Sequence, residues 1–158
     1  MTIRTAIHSS GDLAAIRALY WQLDTHAVQS QPQHFRRGER SDEFLLGLIE
    51  GENSDFLLAE LDGEIAGFSQ VSLKWTSDIP VLVPCKFGYL NDFVVREDLR
   101  GQKIGTALMA ASKAWARARG GEYLRLSVLP DNLGAQRFYA RHGLLPQMLT
   151  MEAALSDK

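Results

Sequence analysis

Cys85 is the one cysteine in a chain of 158 residues. A lone thiol excludes an intrachain disulfide framework and a cysteine-based zinc site. The four histidines, His8, His26, His34 and His142, lack the i, i+4 pairing of a helical metal site, so no metal is expected. No apolar run approaches the ~20 residues of a membrane span. Met1 to His8 contains no hydrophobic stretch of a secretory leader; a cytoplasmic protein with no membrane partner is expected. Excess positive charge is missing too, since 17 Lys and Arg face 19 Asp and Glu for a net charge of −2. Nucleic-acid binding rests on neutralising phosphates, so no nucleic-acid partner is expected. Repeats, low-complexity stretches and Pro/Gly/Ser linkers are also wanting. One domain spanning 1–158 is the expected organisation.

What is present suits a globular fold. Hydrophobic residues make up 46% of the chain and charged residues 23%, enough to bury a core without staples. Ile3 to His8 alternates as a strand. Ser9 and Ser10 then offer caps to a helix with Leu13, Ile16, Leu19/Tyr20, Leu23 and Ala27 at helical spacing. Residues 30–38 read as a loop, and a short helix follows Ser41 and stops at Gly51. Asp62-Gly63 joins Phe56–Leu61 to Glu64–Trp75, a strong hairpin signal. After the loop Thr76–Pro84, Phe87–Val95 reads as a strand and Lys103–Arg119 as an amphipathic helix striped by Ile104, Leu108, Ala111, Trp115 and Ala118. Tyr123–Val128 is a further strand, Asn132–His142 a helix stopped by Gly143, and Leu149–Ala153 a last strand. Early hairpins and late crossover helices predict an α/β fold, a mixed sheet in three layers.

The most informative segment is Val95 to Leu108, where a strand passes through a polar turn into a long helix. Free N–H groups at such a helix start suit a pyrophosphate. Gly101 and Gly105 allow close backbone approach, and Arg100 and Lys103 add positive charge. The same turn also occurs in α/β domains that hold no ligand. Neither Gly-x-x-x-x-Gly-Lys-Ser/Thr nor Gly-x-Gly-x-x-Gly is present, which removes the main support for triphosphatase and dehydrogenase readings. A second segment, Asp131-Asn132-Leu-Gly-Ala135-Gln-Arg-Phe138-Tyr139-Ala-Arg-His-Gly143-Leu144, sets Ala135, Phe138 and Tyr139 on one helix face with Asn132 at its start. Taken singly, the Phe-Tyr pair reads as core packing.

Together these segments resemble the GCN5-related N-acetyltransferase (GNAT) family. Arg100-Gly-Gln-Lys-Ile-Gly105 is similar to its signature Gln/Arg-x-x-Gly-x-Gly/Ala, with Lys103 in place of the usual Gly. The second segment resembles Asn-x-x-Ala-x-x-Phe-Tyr-x-x-x-Gly-Phe, with Leu144 for the final Phe. The match runs from about Tyr89 to Leu144. The resemblance implies a mostly antiparallel sheet with helices on both faces and a splayed parallel strand pair, 87–95 beside 123–128. It implies acetyl-CoA as cosubstrate, its pyrophosphate held by Arg100, Gly101, Gln102, Lys103, Ile104, Gly105 and Thr106. The pantetheine arm would then lie along Phe93, Val94 and Val95 and touch Asn132, Ala135 and Phe138. Tyr139 would be the general acid for the departing thiolate, and Pro130 would help keep the gap open.

The inferred reaction is direct attack of a primary amine on the thioester. An amine near pH 7 must first lose a proton. Asn91 stands where relatives often have an acid and cannot serve as base. Asp92 is the adjacent carboxylate, though strand alternation directs it to the opposite face. His26, His34 and Phe35 are candidate walls for a small-molecule acceptor, with solvated histidines and a Phe35 at the core edge as the plain alternative. Cys85 reads as a small core or loop residue. A non-catalytic acyl-CoA sensor, a purely structural interaction domain and a protein N-terminal or lysine acetyltransferase are the rival readings, and a homodimer is compatible with all of them.

Overall fold

The computed structural model describes residues 1–156. β1 (Thr2–Thr5) leads into α1 (Ser10–Ser30) and α2 (Asp42–Glu50), followed by β2 (Ser54–Leu61), β3 (Glu64–Trp75) and β4 (Lys86–Val95). A 3-10 turn (Glu97–Leu99) precedes α3 (Ile104–Ala118), then β5 (Tyr123–Leu126) and α4 (Leu133–Arg141). The sheet order is β1-β2-β3-β4-β5; neighbours are antiparallel except β4 and β5, which are parallel. The expected mixed α/β sheet, mostly antiparallel with one parallel pair, is therefore the observed one.

Local chemistry accounts for the boundaries. The Ser9 hydroxyl accepts from Asp12 N (3.2 Å) and the Ser41 hydroxyl from Phe44 N (3.1 Å), each satisfying an orphan donor at a helix start. The Asp12 carboxylate accepts from Ile7 N (2.9 Å) and binds Arg4 (2.8 Å). That contact bends the chain out of the sheet, so β1 ends at Thr5 rather than at His8. Asp62 and Gly63 both have positive φ, as a tight hairpin turn demands.

Two cores sandwich the sheet. On one face Leu13, Ile16, Leu19 and Tyr20 of α1 and Leu45 of α2 pack on Phe56, Leu58, Phe68 and Val94. On the other, Ile104, Leu108, Met109, Trp115 and Ala116 of α3 pack on Leu57, Ala59, Val71, Leu73 and Leu90, with Phe138 and Tyr139 of α4 against them. The α3 stripe differs in detail from the expected one: Ser112 is buried, bonded to Ser69 (2.8 Å), and Ala118 is exposed. β5 stops at Leu126, two residues early. The expected last strand at Leu149–Ala153 is not a strand; Leu149 and Met151 are 80% and 88% exposed, with no sheet partner among the described residues.

Candidate active site

β4 and β5 pair only from Phe87 to Leu90 on one side and Tyr123 to Leu126 on the other. Asn91 to Val95 continue along β3 with no strand on their second edge among the described residues. Backbone groups there are left open to a ligand running alongside, as an added strand would, except the Val95 carbonyl, which accepts from Gln22 Nε2 (2.9 Å). The opening begins upstream of Pro130, because β5 itself ends at Leu126.

A bulge sets which side chains face each wall. Leu90 lies opposite Val71 and Asp92 opposite Gln70, which leaves Asn91 as the extra residue. An extra residue breaks the two-residue alternation. Before it, Gly88 and Leu90 face α3: a Cβ on Gly88 would meet the Ala116 Cβ at 2.6 Å. After it, Asp92 and Val94 face α1, while Phe93 and Val95 turn toward α3 and α4. Asn91 donates to Gln70 Oε1 (2.6 Å) and Ser72 Oγ (2.9 Å), both on the α1 face. The alternation expected to separate Asn91 from Asp92 is thus overturned by the bulge, and the two share a face.

Asp92 accepts a 2.8 Å hydrogen bond from the Tyr20 hydroxyl. The Tyr20 ring meets Phe56 edge-on and Phe68 at a tilt, and is capped by the Arg40 guanidinium at 3.9 Å. Arg40 is in turn held by both carboxylate oxygens of Asp24. Burial pushes the Asp92 carboxyl above its ordinary range, opposed by the Tyr20 hydrogen bond and by the Arg40 charge. Burial and the Asp92 anion hold the Tyr20 phenol protonated far above its usual range. With Arg40 neutralised by Asp24, Asp92 is the carboxylate of this cluster with no cation of its own. It is suited to binding a cation or accepting a proton.

Across the strand, Phe93 meets Phe138 at 5.7 Å and Tyr139 at 6.2 Å, centroid to centroid. Burial raises the Tyr139 phenol to about 12. Its hydroxyl has no side-chain hydrogen-bond partner among the described residues, yet it is not sealed from solvent. A protonated phenol with a free donor is what a general acid requires.

The turn before α3 has the features of an anion site. The first intrahelical bond runs from Ala107 N to Lys103 O (3.1 Å), and no side chain caps the helix. The N–H groups of Ile104, Gly105 and Thr106 therefore have no helix partner. Gly101 has φ +84° with open space beside it, so its glycine is conformational. Lys103 has φ +64°, the left-handed conformation that a glycine adopts without cost. At Gly105 an added Cβ would press on Phe138 Cζ at 3.2 Å, so this glycine also lets α3 and α4 pack closely. Arg100, Gln102 and Lys103 are exposed beside the turn. Ile104 and Val94 are buried core residues and can offer a ligand backbone groups alone.

The remaining candidates are scattered. Asn132 Oδ1 accepts from Ala135 N (3.2 Å), so it caps α4. His26 pairs with Glu97 (2.7 Å), joining α1 to the turn before α3. His34 binds Glu152 (2.5 Å), and Phe35 is 40% exposed. Neither is joined to Asp92 by a hydrogen bond among the described residues. Tyr20, Asp24, Arg40 and Gln70 were not singled out from the sequence. Tyr20 lay in the helix stripe as a core aromatic, and its spacing from Asp92 holds no signal of their contact.

The model of the acetyltransferase (GNAT) family matches residues 13–144. The chain belongs to this family. An uncharacterized N-acetyltransferase from Methanocaldococcus jannaschii is 31% identical over 96 residues, 61% of this chain and 41% of its own length. The chain thus spans under half of that relative. The aminoalkylphosphonate N-acetyltransferase of Salmonella typhimurium is 31% identical over 132 residues, 84% of this chain and 78% of its own. The BH1408 protein from Bacillus halodurans, solved as a point mutant, superposes with a TM-score of 0.92 at 26% identity, over 99% of this chain and 100% of that one.

Proposed function

We propose that the chain is an N-acetyltransferase that moves the acetyl group of acetyl-CoA to a primary amine on a small acceptor. Family membership supports the coenzyme, and the uncapped α3 start beside Arg100 and Lys103 supports a pyrophosphate there. The observation that carries the transfer itself is the bulge at Asn91. It directs Asp92 to one side of the opened edge while Phe93, on the other, meets Tyr139 edge-on.

In this reading the thioester lies along Asn91–Val95 and its carbonyl accepts an open β4 N–H as the oxyanion forms. The acceptor enters from the α1 side. Its ammonium is drawn to Asp92, loses a proton toward that carboxylate directly or through water, and the free amine attacks. The C–S bond then breaks, the thiolate takes the Tyr139 proton, and the second proton of the amine nitrogen passes through water to restore the phenol. No covalent enzyme intermediate is formed. A relative named for aminoalkylphosphonates supports a small acceptor of this type. The test is a panel of small amines with acetyl-CoA, read by release of free thiol. The expected result is amine-dependent turnover lost in Asp92→Asn. Coenzyme binding without turnover on any amine would instead leave a sensor of acyl-CoA.

A further inference from the structure

We propose that the acceptor carries an oxyanion about 7 Å from its amine, held by Lys74 and Arg125 on the sheet face that also bears Asp92. The inference rests on the acetyl-transfer reading above and adds what stands at the far end of the amine. On the α1 face the apolar core ends at the paired residues Phe68 and Val94. The next pairs are Gln70 with Asp92, Ser72 with Tyr89 and Lys74 with Phe87, with Asn91 in the bulge. β5 extends two of them, Arg125 opposite Tyr89 and Tyr123 opposite Phe87. Paired residues share a face, so these side chains form one surface. It is open, with Lys74, Asn91 and Tyr123 exposed.

Two cations converge on this surface from opposite sides of β4. The Lys74 ammonium stands 4.4 Å over the Tyr89 ring, and the Arg125 guanidinium 4.4 Å over the Phe87 ring and 5.5 Å over that of Tyr123. A 2.7 Å hydrogen bond between the Tyr89 hydroxyl and Ser127 Oγ fixes the first ring. Neither cation has a hydrogen bond or a carboxylate partner among the described residues, whereas Arg40, beside Asp92, is tied to Asp24. A guanidinium resting on a ring keeps N–H donors free at its edge, in the paired geometry that a carboxylate or phosphate accepts. Like charges gathered on one patch repel each other, and a bound anion relieves both.

The order of charge along the strand fixes which way the acceptor lies. Asp92 stands at the opened edge, where the amine must lose its proton, and the two cations lie beyond the bulge, away from the thioester. Lys74 sits over Tyr89, whose partner Ser72 is two residues along β3 from Gln70, the partner of Asp92. Two residues of strand advance about 7 Å. An α-amino acid has one carbon between its nitrogen and its carboxyl, about 2.5 Å, and reaches only one of the two ends. A linear ω-amino acid of about four to six carbons, or an amino-alcohol phosphate of similar length, reaches both.

The test is acetyl transfer to δ-aminovalerate, phosphoethanolamine, glycine and pentylamine, at low and high salt, read by thiol release. The expected kcat/KM for the better of the first two is on the order of ten- to a hundredfold above that for pentylamine, carried by KM and shrinking with salt. Which of the two leads identifies the oxyanion as carboxylate or phosphate. Lys74→Gln and Arg125→Gln should each cut the preference on the order of tenfold, and Lys74→Glu with Arg125→Glu should turn it toward the diamine cadaverine. Circular dichroism verifies the fold of each variant; should the double variant not fold, Lys74→Gln, at an exposed side chain, decides. Pentylamine or glycine used as well as the longer anionic amines overturns the proposal and leaves acetyl transfer standing. So does a preference that both single variants leave intact. No turnover on any amine overturns both.

Discussion

Lys103 holds a left-handed conformation, φ +64° and ψ +18°, at the start of α3, where the family pattern has glycine. For a residue with a Cβ this conformation costs roughly 1–2 kcal/mol. Glycine removes that cost but adds freedom to the unfolded chain, worth roughly 0.5–1 kcal/mol in the other direction. Lys103 is exposed, so its replacement loses no packing. Lys103→Gly should therefore stabilise the protein by ~0.5–1 kcal/mol. At ~2–4 °C per kcal/mol for a chain of this size, Tm rises by about 1–4 °C. Lys103→Ala keeps the strain and should bring no gain. Both variants lose a cation beside the uncapped α3 N-terminus, so coenzyme affinity should fall severalfold in each at low salt and less at high salt. Thermal denaturation and calorimetric titration of the three proteins read both effects. A Gly variant no more stable than wild type refutes the strain argument, and unchanged coenzyme affinity in both variants detaches Lys103 from the phosphates.

Tyr139→Phe removes one unbonded hydroxyl and should lower kcat ten- to a thousandfold with coenzyme affinity intact, somewhat below or within the usual range for general acids. With Tyr139 raised to about 12, wild-type kcat should show no loss from tyrosine ionisation on the alkaline side of an ordinary assay range. Asp92→Asn should lower kcat/KM for the amine on the order of a hundredfold, as loss of a general base does. Stability should move the other way. Burial raises the Asp92 pKa on folding, so its charge costs stability once pH passes the folded value, and that cost disappears as pH falls. The Asn variant should thus be at least as stable as wild type at pH 7, with the difference closing toward acid in denaturation curves. Gly105→Ala should cost ~1–3 kcal/mol through overpacking against Phe138, relieved by Phe138→Leu in a double-mutant cycle.

Elements with local causes were legible in the sequence. Ser9 capped the helix it was expected to cap, the short helix began after Ser41, and Asp62-Gly63 turned the expected hairpin. The polar turn before α3 was also legible, since a helix start and its glycines lie within a few residues of one another. What stayed hidden depends on pairing. The bulge at Asn91 exists only as a mismatch between β3 and β4, which a run of alternating residues does not reveal. Tyr20 reaches Asp92 from 72 residues away. Leu149–Ala153 misled for a related reason: its alternation is that of a strand, but alternation alone supplies no partner, and none is present among the described residues.

The bulge also explains how one strand can serve two chemistries. In a regular strand Asn91 and Asp92 would fall on opposite faces, and one of them would point into the coenzyme side. With one extra residue, both point toward α1, where Gln70, Ser72 and Tyr20 hold them. Phe93 and Val95 are meanwhile returned to the face of Phe138 and Tyr139. The acid-bearing half of the proposed reaction and its base-bearing half are therefore separated by the backbone of β4 itself. That separation lets burial raise the Tyr139 phenol on one side and the Asp92 carboxyl on the other without the two groups bonding each other.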